Sequence, residues 1–221
     1  CETEVSKAFS VNAIGTLNVA RASAAFDIPV AYVSTDYVFG GDRERRNPYF
    51  EEDATAPLNV YGASKLAGEH LLRANANGWV VRTQWVYGPS RHGGNFVETM
   101  IRLAEQGRTF SVVDDQLGSP THAKDLALVL RGLLHGSAAF GTYHATNTGT
   151  ATWYGLAQEI WRQMGLSPDA SPTTTEAFGS PASRPLYSVL GDGLLADNGV
   201  AAPRDWKTAL ADYLSGRTAK A

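Results

Sequence analysis

Hydrophobic residues recur at three- and four-residue steps along the first part of the chain. This spacing places them on one face and predicts a helix over residues 2–26, which Asp27 and Pro29 end. The next apolar run, at 30–33, shows no polar alternation. Such a run is typical of a strand that is covered on both faces of a parallel sheet.

The alternation of helix and strand continues through the middle of the chain. Helical patterns occupy 57–76, 95–106 and 123–134, and short β-rich runs lie at 79–82 and 110–113. Elements that alternate in this way form parallel sheets with right-handed crossovers. The pattern therefore predicts an α/β fold with a Rossmann-like parallel sheet.

The C-terminal third of the chain has a different composition. Residues 168–203 are rich in Ser, Thr, Pro and Gly with little periodicity, and a last helix is predicted over 209–214, before a loose tail. We expect a dinucleotide-binding domain over 1–145 and mainly a smaller substrate-binding lobe over 146–221. Residues 84–125 would contribute in part to that lobe.

Composition narrows the class of protein. Hydrophobic residues make up 43% of the 221 residues, charged residues 19%, and the formal net charge is -3. This balance argues against a protein that binds nucleic acid through bulk positive charge. No apolar run approaches the ~20 residues that span a bilayer. Cys1 is the single cysteine, so no internal disulfide can form, and we expect a cytoplasmic protein without membrane partners.

The beginning of the chain has two unusual features. Cys1 leads directly into a helical pattern, and no Gly-x-x-Gly-x-x-Gly turn follows a strand to hold the pyrophosphate of a dinucleotide. We therefore expect an N-terminally truncated sheet, with roughly 60 to 70 further residues, or two to three βα units, in the whole protein. The residue that selects NAD or NADP would lie among them.

Three polar residues, Ser34, Thr35 and Asp36, follow the strand predicted at 30–33. In open parallel sheets, ligands bind outside the carboxyl ends of the strands, so these side chains are candidates for ligand contact. The alternative is that they only cap the next turn, a position that all three residue types favour.

Tyr61 and Lys65 are four residues apart on a predicted helix, and therefore share one face. A nearby ammonium lowers the pKa of a phenol from its ordinary value of ~10. Tyr61 could then exchange a proton with a sugar hydroxyl or ketone, while Lys65 holds the cofactor ribose. The alternative is an exposed aromatic ring that packs on the stem of a lysine.

These residues belong to a set of motifs in a fixed order. The motifs are Ser-Thr-Asp-Tyr-Val-Phe at 34–39, Asn-Val-Tyr-Gly-Ala-Ser-Lys at 59–65, Arg-Thr-Gln-Trp-Val-Tyr at 82–87 and Asp-Gln-Leu-Gly-Ser-Pro-Thr at 115–121. The set resembles the extended short-chain dehydrogenase/reductase family and, within it, the dTDP-4-dehydrorhamnose reductases. The resemblance extends from about residue 2 to the C-terminus.

The resemblance implies an enzyme that reduces the C4 ketone of a dTDP-linked 6-deoxy sugar, from dTDP-4-dehydrorhamnose to dTDP-rhamnose, with NADPH or NADH. Thr35, Tyr61 and Lys65 would form the catalytic group, in which Thr35 helps to polarise the carbonyl and Tyr61 gives the proton. Ser34, Tyr61 and Lys65 would contact the cofactor. A homodimer is implied by analogy alone.

The resemblance also implies a set of substrate contacts, namely Thr35, Asp36, Trp85, Asn95 and Arg184. Arginine suits the nucleotide diphosphate because its planar fork donates two hydrogen bonds at once. Other interpretations remain open for three of these residues. Trp85 could be a core residue, Asn95 the N-cap of a helix, and Arg184 an exposed loop residue.

Two further observations concern support of the site and metals. In the wider family an Asn on the first helix supports the active site, which points to Asn12, although a locally satisfied helix Asn is the alternative. The five histidines show no metal-ligand spacing, so we predict no catalytic metal.

Two other functions remain open. A nucleotide-sugar epimerase or dehydratase of the same superfamily would use the same Tyr and Lys while it retains its cofactor through the cycle. A non-catalytic regulatory subunit would need no turnover, but retention of Thr35, Tyr61 and Lys65 argues against it.

Overall fold

The computed structural model describes residues 1–89, 94–191 and 193–218. Its helices are α1 Val5–Phe9, α2 Gly15–Ala25, α3 Val60–Asn75, α4 Phe96–Glu105, α5 Ala123–His135, α6 Trp153–Met164, α7 Thr175–Phe178, α8 Gly193–Asp197 and α9 Trp206–Thr218. Its strands are β1 Val30–Thr35, β2 Gly78–Thr83, β3 Val86–Tyr87, β4 Phe110–Val113, β5 Leu117–Gly118, β6 Thr121–His122, β7 Gly141–His144, β8 Ala151–Thr152 and β9 Ala170–Thr173.

The main sheet has three parallel strands in the order β1-β2-β7. Its register places Thr35 beside Thr83 and Arg82 beside His144. The carboxyl ends of all three strands therefore meet at one edge, where open α/β sheets bind their ligands. The predicted Rossmann-like α/β fold is confirmed.

Helices cover both faces of β2. On one face, Val80 packs with Ala20 of α2 and Leu72 of α3. On the other face, Trp79 and Val81 pack in a separate cluster with residues of α5 and α8. Alternate side chains of a strand point to opposite faces, so the continuous apolar run of β2 fills two layers.

Two of the predicted strands differ from expectation. β1 is covered less completely than its apolar sequence predicts, because among the described residues it pairs with β2 alone and Val33 is 39% exposed. Residues 110–113 do form a strand, but β4 pairs with β9 outside the main sheet. The third position belongs instead to β7, whose sequence Gly-Thr-Tyr-His contains no apolar run.

The first predicted helix, over 2–26, is interrupted. A π-helical turn over Ser10–Ile14 joins α1 to α2. Such turns often occur at functional sites. Here the turn contains Asn12, whose Nδ2 donates a 2.9 Å hydrogen bond to Ser64 Oγ of α3. The contact links the first helical segment to the helix that carries Tyr61 and Lys65.

The C-terminal part of the chain has a core of its own. Helices α4, α6 and α9 pack together through buried apolar side chains, among them Val97, Ile101, Leu156, Ile160 and Leu210. The sequence pattern does not predict α6, and α9 continues to Thr218, through part of the expected loose tail. The apparently irregular residues 168–203 contain β9, α7 and α8. The division into two domains stays a prediction.

Within the described ranges, no helix has both the length and the apolar character needed to cross a membrane.

Candidate active site

Tyr61 and Thr35 meet at the carboxyl edge of the main sheet. Thr35 ends β1, Tyr61 lies in the first turn of α3, and the Thr35 hydroxyl is close enough to lower the pKa of the Tyr61 phenol in part. The helix begins later than the sequence predicts: Asn59, not Pro57, precedes it, and Asn59 Oδ1 accepts from the Gly62 N–H at 2.8 Å.

Gly62 explains how α3 comes so close to the end of β1. A Cβ at this position would collide with the backbone carbonyl of Tyr37. A residue without a side chain is therefore required between Tyr61 and the turn that follows Thr35. The absence of a Cβ at Gly62 lets the two hydroxyl groups approach each other.

Lys65 lies one helical turn after Tyr61, on the same side of α3. Its Nζ donates a 2.6 Å hydrogen bond to the Val33 carbonyl and lies 4.0 Å from the centre of the Tyr32 ring. Burial lowers the pKa of Lys65 to about 8. An ammonium carries three N–H groups, so Lys65 keeps donors for a ligand at this edge of the sheet.

The electrostatics of Tyr61 differ from the expectation. The sequence predicts that Lys65 lowers the pKa of this phenol. Burial instead raises the pKa of Tyr61, Thr35 lowers it in part, and the negative charge of Asp36 raises it further. The Lys65 ammonium points towards Val33 and Tyr32. In this arrangement Tyr61 is a protonated group, suited to act as an acid.

Asp36 is buried beneath Thr35, with only 3% of its surface exposed. Its Oδ1 accepts from Thr35 Oγ1 at 3.1 Å, and its Oδ2 accepts from Ser188 Oγ at 2.7 Å and Gln84 Nε2 at 2.8 Å. Burial raises the pKa of Asp36 to about 6. The carboxylate thus forms its hydrogen bonds inside the protein, whereas the sequence predicts a direct contact with the sugar.

Ser34 also differs from the expectation. Its hydroxyl donates a 2.6 Å hydrogen bond to Glu69 Oε1, in the buried layer between the sheet and α3. Arg82 binds the same carboxylate through two bonds, of 3.1 and 2.8 Å. The structure therefore places this side chain in a buried ion-pair network, and its contact with the cofactor stays a prediction.

Trp85 has a left-handed backbone conformation, with φ of 45°. This conformation is rare for a bulky residue and is found most often where function or packing imposes it. One face of its ring stacks on Trp153, with centroids 3.7 Å apart, and a Cβ at Gly118 would collide with the same ring. The geometry matches the interpretation of Trp85 as a packed residue.

Asn95 caps α4, as one of the two interpretations expects. Its Oδ1 accepts from the Glu98 N–H, and its Nδ2 donates to the Gly88 carbonyl and to the Tyr213 hydroxyl. Both ends of the amide are engaged within the protein. A contact with the substrate base stays a prediction.

Arg184 lies exposed on the loop that is fastened to the start of α3. Asn59, the residue that caps this helix, donates from Nδ2 to the Ser183 carbonyl at 2.8 Å. Burial raises the pKa of Tyr37 to about 12. The nearby positive charge of Arg184 lowers this pKa in part. The structure thus brings an exposed guanidinium to the vicinity of the Thr35–Tyr61 pair.

Several residues of the site do not stand out in the sequence. Gln84 and Ser188 hold Asp36, and Tyr32 lies against Lys65. Gln84 lies inside the motif at 82–87, so its position gives one indication. Ser188 comes from a segment 152 residues away from Asp36, and no local pattern identifies it.

The described residues contain no group of three or more His, Cys, Asp or Glu side chains arranged to hold a metal ion.

The fold and this edge of the sheet together define a class of protein. A parallel Rossmann-like sheet with a Thr, Tyr and Lys group at its carboxyl edge is the arrangement of an extended short-chain dehydrogenase/reductase. The donor set fits the ribose and nicotinamide end of a dinucleotide, since Lys65, one helical turn after Tyr61, retains N–H groups beyond the one that it donates to Val33.

Comparison with known proteins identifies the family within this class. The family model described as the RmlD substrate binding domain matches residues 1–218. Spore coat polysaccharide biosynthesis protein SpsK of Bacillus subtilis is 42% identical over 99% of this chain and 75% of its own length. The dTDP-4-dehydrorhamnose reductase of Mycolicibacterium smegmatis is 41% identical over 97% of this chain and 65% of its own length.

Comparison with a solved structure supports the same family. The crystal structure of dTDP-4-dehydrorhamnose reductase from Bacillus anthracis in complex with NADP is similar, with a TM-score of 0.91 and 42% identity over 97% of this chain and 75% of that one. The chain belongs to the RmlD substrate-binding family, that of the dTDP-4-dehydrorhamnose reductases, which are NAD(P)-dependent oxidoreductases.

Proposed function

We propose that the protein reduces the C4 ketone of a dTDP-linked 6-deoxy sugar with NADPH or NADH, and so converts dTDP-4-dehydrorhamnose to dTDP-rhamnose in nucleotide-sugar biosynthesis. The observation that carries the proposal is the position of Thr35 at the carboxyl end of β1, with Tyr61 and Lys65 on the helix that packs on this strand. Family membership supports the choice of substrate. This chain spans 75% of the length of SpsK and 65% of the length of the Mycolicibacterium smegmatis reductase.

Tyr61, Thr35 and Lys65 have different roles in the proposed reaction. The nicotinamide supplies the hydride when it is bound. Tyr61 gives its proton to the C4 oxygen, and Thr35 orients the phenol. Lys65 binds the cofactor ribose through the N–H groups that Val33 leaves free.

Substrate contacts are proposed mainly for the exposed groups. Arg184 is available for the nucleotide diphosphate, and its loop is tied to the start of α3 by Asn59. Asp36, Trp85 and Asn95 form hydrogen bonds or stacking contacts inside the protein. These contacts support the site, and the contacts of these three residues with the substrate stay predictions.

The proposal includes a cytoplasmic homodimer. The location follows from the lack of an internal disulfide, since Cys1 is the single cysteine. The dimer rests on family resemblance alone. Light scattering on the purified protein tests it, and a monomer mass would refute it.

The test of the function is the Tyr61→Phe variant of the protein that the complete gene encodes. We expect kcat for oxidation of NADPH by dTDP-4-dehydrorhamnose to fall by about 10²- to 10⁴-fold, because general acid catalysis contributes that much. Tyr143→Phe is the matched control, since that hydroxyl bonds to Ala139 in a core remote from the site. Near-normal turnover of Tyr61→Phe refutes the proposal.

The same assay separates the alternatives. Consumption of one NADPH for each sugar marks a reductase, whereas an epimerase or dehydratase regenerates its cofactor and shows no net consumption. A regulatory subunit shows no turnover with any nucleotide sugar and purifies with a second protein.

A further inference from the structure

The motif at 115–121 contacts Trp85 through both backbone and ring. The Thr121 N–H donates to the Trp85 carbonyl at 3.2 Å, which helps to hold the left-handed backbone of this residue. A Cβ at Gly118 would lie 2.8 Å from the Trp85 ring, so no side chain fits at that point of the motif. These contacts fix the place of Trp85, and the orientation of its ring depends on a further residue of the same motif.

That residue is Gln116, which reaches the Trp85 ring through Trp153. The two indoles stack with their centroids 3.7 Å apart and their planes 16° from parallel. The Trp153 Nε1–H donates to Gln116 Oε1 at 3.0 Å. Gln116 is only 4% exposed, so water competes little for this hydrogen bond. A rotation of the Trp153 indole would break the bond and remove the face on which Trp85 stacks.

The orientation of the Gln116 amide is itself determined by its partners. An indole N–H can only donate a hydrogen bond, and a carboxylate can only accept one. Gln116 therefore turns its oxygen to Trp153, and its Nε2 donates to Thr175 Oγ1 at 2.9 Å. The Thr175 hydroxyl in turn donates to Asp115 Oδ1 at 2.6 Å. The chain of hydrogen bonds from Trp153 to Asp115 has a single direction, so the amide cannot flip without losing partners.

Trp85 directly follows a residue of the candidate active site. Gln84 Nε2 donates to Asp36 Oδ2 at 2.8 Å, and the same carboxylate accepts from Thr35. Gln84 Oε1 accepts from the Ser119 N–H at 2.6 Å, which fastens this point to the motif as well. Gln84 is buried, whereas the Trp85 side chain is only half-buried. The ring therefore keeps part of its surface available to a ligand.

We propose that Gln116 is a positioning residue that fixes the Trp85 ring, through Trp153, as the wall against which the sugar of the substrate packs. The face of an aromatic ring carries negative potential and attracts the C–H groups of a deoxy sugar. This assignment rests on the proposed function and deepens it, because it gives the motif at 115–121 a role in recognition of the sugar. Gln116 and Trp153 take no part in hydride or proton transfer.

The stack of the two indoles can be measured in the protein that the complete gene encodes, without any ligand. Closely stacked indoles couple their ultraviolet transitions and give a paired positive and negative band in circular dichroism. The bands that disappear in both Trp85→Phe and Trp153→Phe belong to this stack. Gln116→Met removes the acceptor of the indole N–H with little change in volume, and we expect it to weaken these bands. Unchanged bands overturn the role of Gln116.

The contact with the sugar is tested by binding. For Gln116→Met, isothermal titration should give a Kd for dTDP-rhamnose about fivefold above that of the unchanged protein, the size expected for one aromatic contact. The Kd values for dTDP and for NADPH should change by less than about twofold, and kcat likewise, because only a uniform binding contact is lost. An equal loss of affinity for dTDP overturns the assignment to the sugar.

Trp153→Leu is a second variant, which does not depend on the folding of Gln116→Met. It removes the face on which Trp85 stacks, so its Kd for dTDP-rhamnose should rise at least as much. An unchanged Kd overturns the proposal.

Trp161→Phe is the matched control. Trp161 lies in the same core and donates its indole N–H to the Met100 carbonyl at 3.2 Å, but its ring contacts Phe110 and Tyr154. This variant should keep the paired bands and the affinity for dTDP-rhamnose. A loss of affinity as large as that of Trp153→Leu would show a general loosening of the core, and would overturn the proposal.

These measurements also separate the role of Gln116 from the proposed function, because neither the bands nor the Kd values require turnover. An inactive protein that shows the expected changes refutes the reductase activity and leaves the positioning role in place. An active reductase whose bands and Kd values do not respond to Gln116→Met refutes the positioning role alone.

Discussion

The ammonium of Lys65 lies 4.0 Å from the centre of the Tyr32 ring, so a strand residue outside the predicted catalytic group supports one of its members. The Tyr32 hydroxyl lies 3.3 Å from the backbone carbonyls of both Asn12 and Lys65, which share its single proton. Through this ring, the π-helical turn, β1 and α3 come into contact. Tyr32 therefore positions Lys65 by its aromatic face and by its hydroxyl.

The two contributions of Tyr32 can be separated by substitution. Tyr32→Leu removes the aromatic face, and since a partly buried cation–π contact contributes about 1 to 2 kcal/mol, we expect kcat/KM for NADPH to fall about tenfold. Tyr32→Phe keeps the face, and should lose about threefold at most. Steady-state kinetics of both variants checks this, and equal losses would show that the ring face does not matter.

The activity should depend on the charge of Lys65. Its pKa is lowered to about 8 by burial, so the ammonium loses its proton as the pH rises through that value, while the raised pKa of Tyr61 keeps the phenol protonated. We expect kcat/KM for reduction to decrease above about pH 8. In Lys65→Arg the charge persists, and the residual activity should show no such decrease. If Lys65→Arg shows the same decrease of kcat/KM above about pH 8, the decrease is due to the titration of another group.

The free energy of unfolding should depend on pH through the ionisation of Asp36. The pKa of Asp36 is about 6 in the folded protein and 3.8 ordinarily, so between these values the folded state binds more protons than the unfolded state. The contribution of Asp36 to the free energy of unfolding therefore falls as the pH rises from about 4 to about 6, by up to ~3 kcal/mol. Asp36→Asn should lack this part of the pH dependence in urea unfolding. Identical pH profiles for the two proteins would contradict the expected shift.

Removal of one partner from the buried ion pair between Glu69 and Arg82 should destabilise the protein. Both side chains are 3% exposed or less, and Glu69→Gln leaves the arginine charge buried without its partner. We expect the free energy of unfolding to fall by about 3 kcal/mol or more. The control is Glu4→Gln in the exposed Glu4–Lys7 pair, which should change it by less than ~1 kcal/mol. Similar effects at the two sites would contradict the difference in burial.

Several elements of the fold follow from local pattern. The helix of Tyr61 and Lys65, the helix after Asn95 and the strand at 79–82 are confirmed, because each has a cap or an apolar run that acts over a few residues. β7 and the partner of β4 do not follow from pattern. Strand pairing is decided by residues distant in the chain, and Gly-Thr-Tyr-His carries no apolar signature.

The sequence alone determined the class of fold and the family that its motifs resemble, and it predicted the Thr35, Tyr61 and Lys65 group. Tertiary structure decided the electrostatics: Tyr61 is protonated, Lys65 lies on Tyr32, and Asp36 faces inward. The physical reason is that a pKa and the direction of a hydroxyl depend on burial and on available acceptors. At Asp36 these come from Gln84 and Ser188, which only the folded chain brings together.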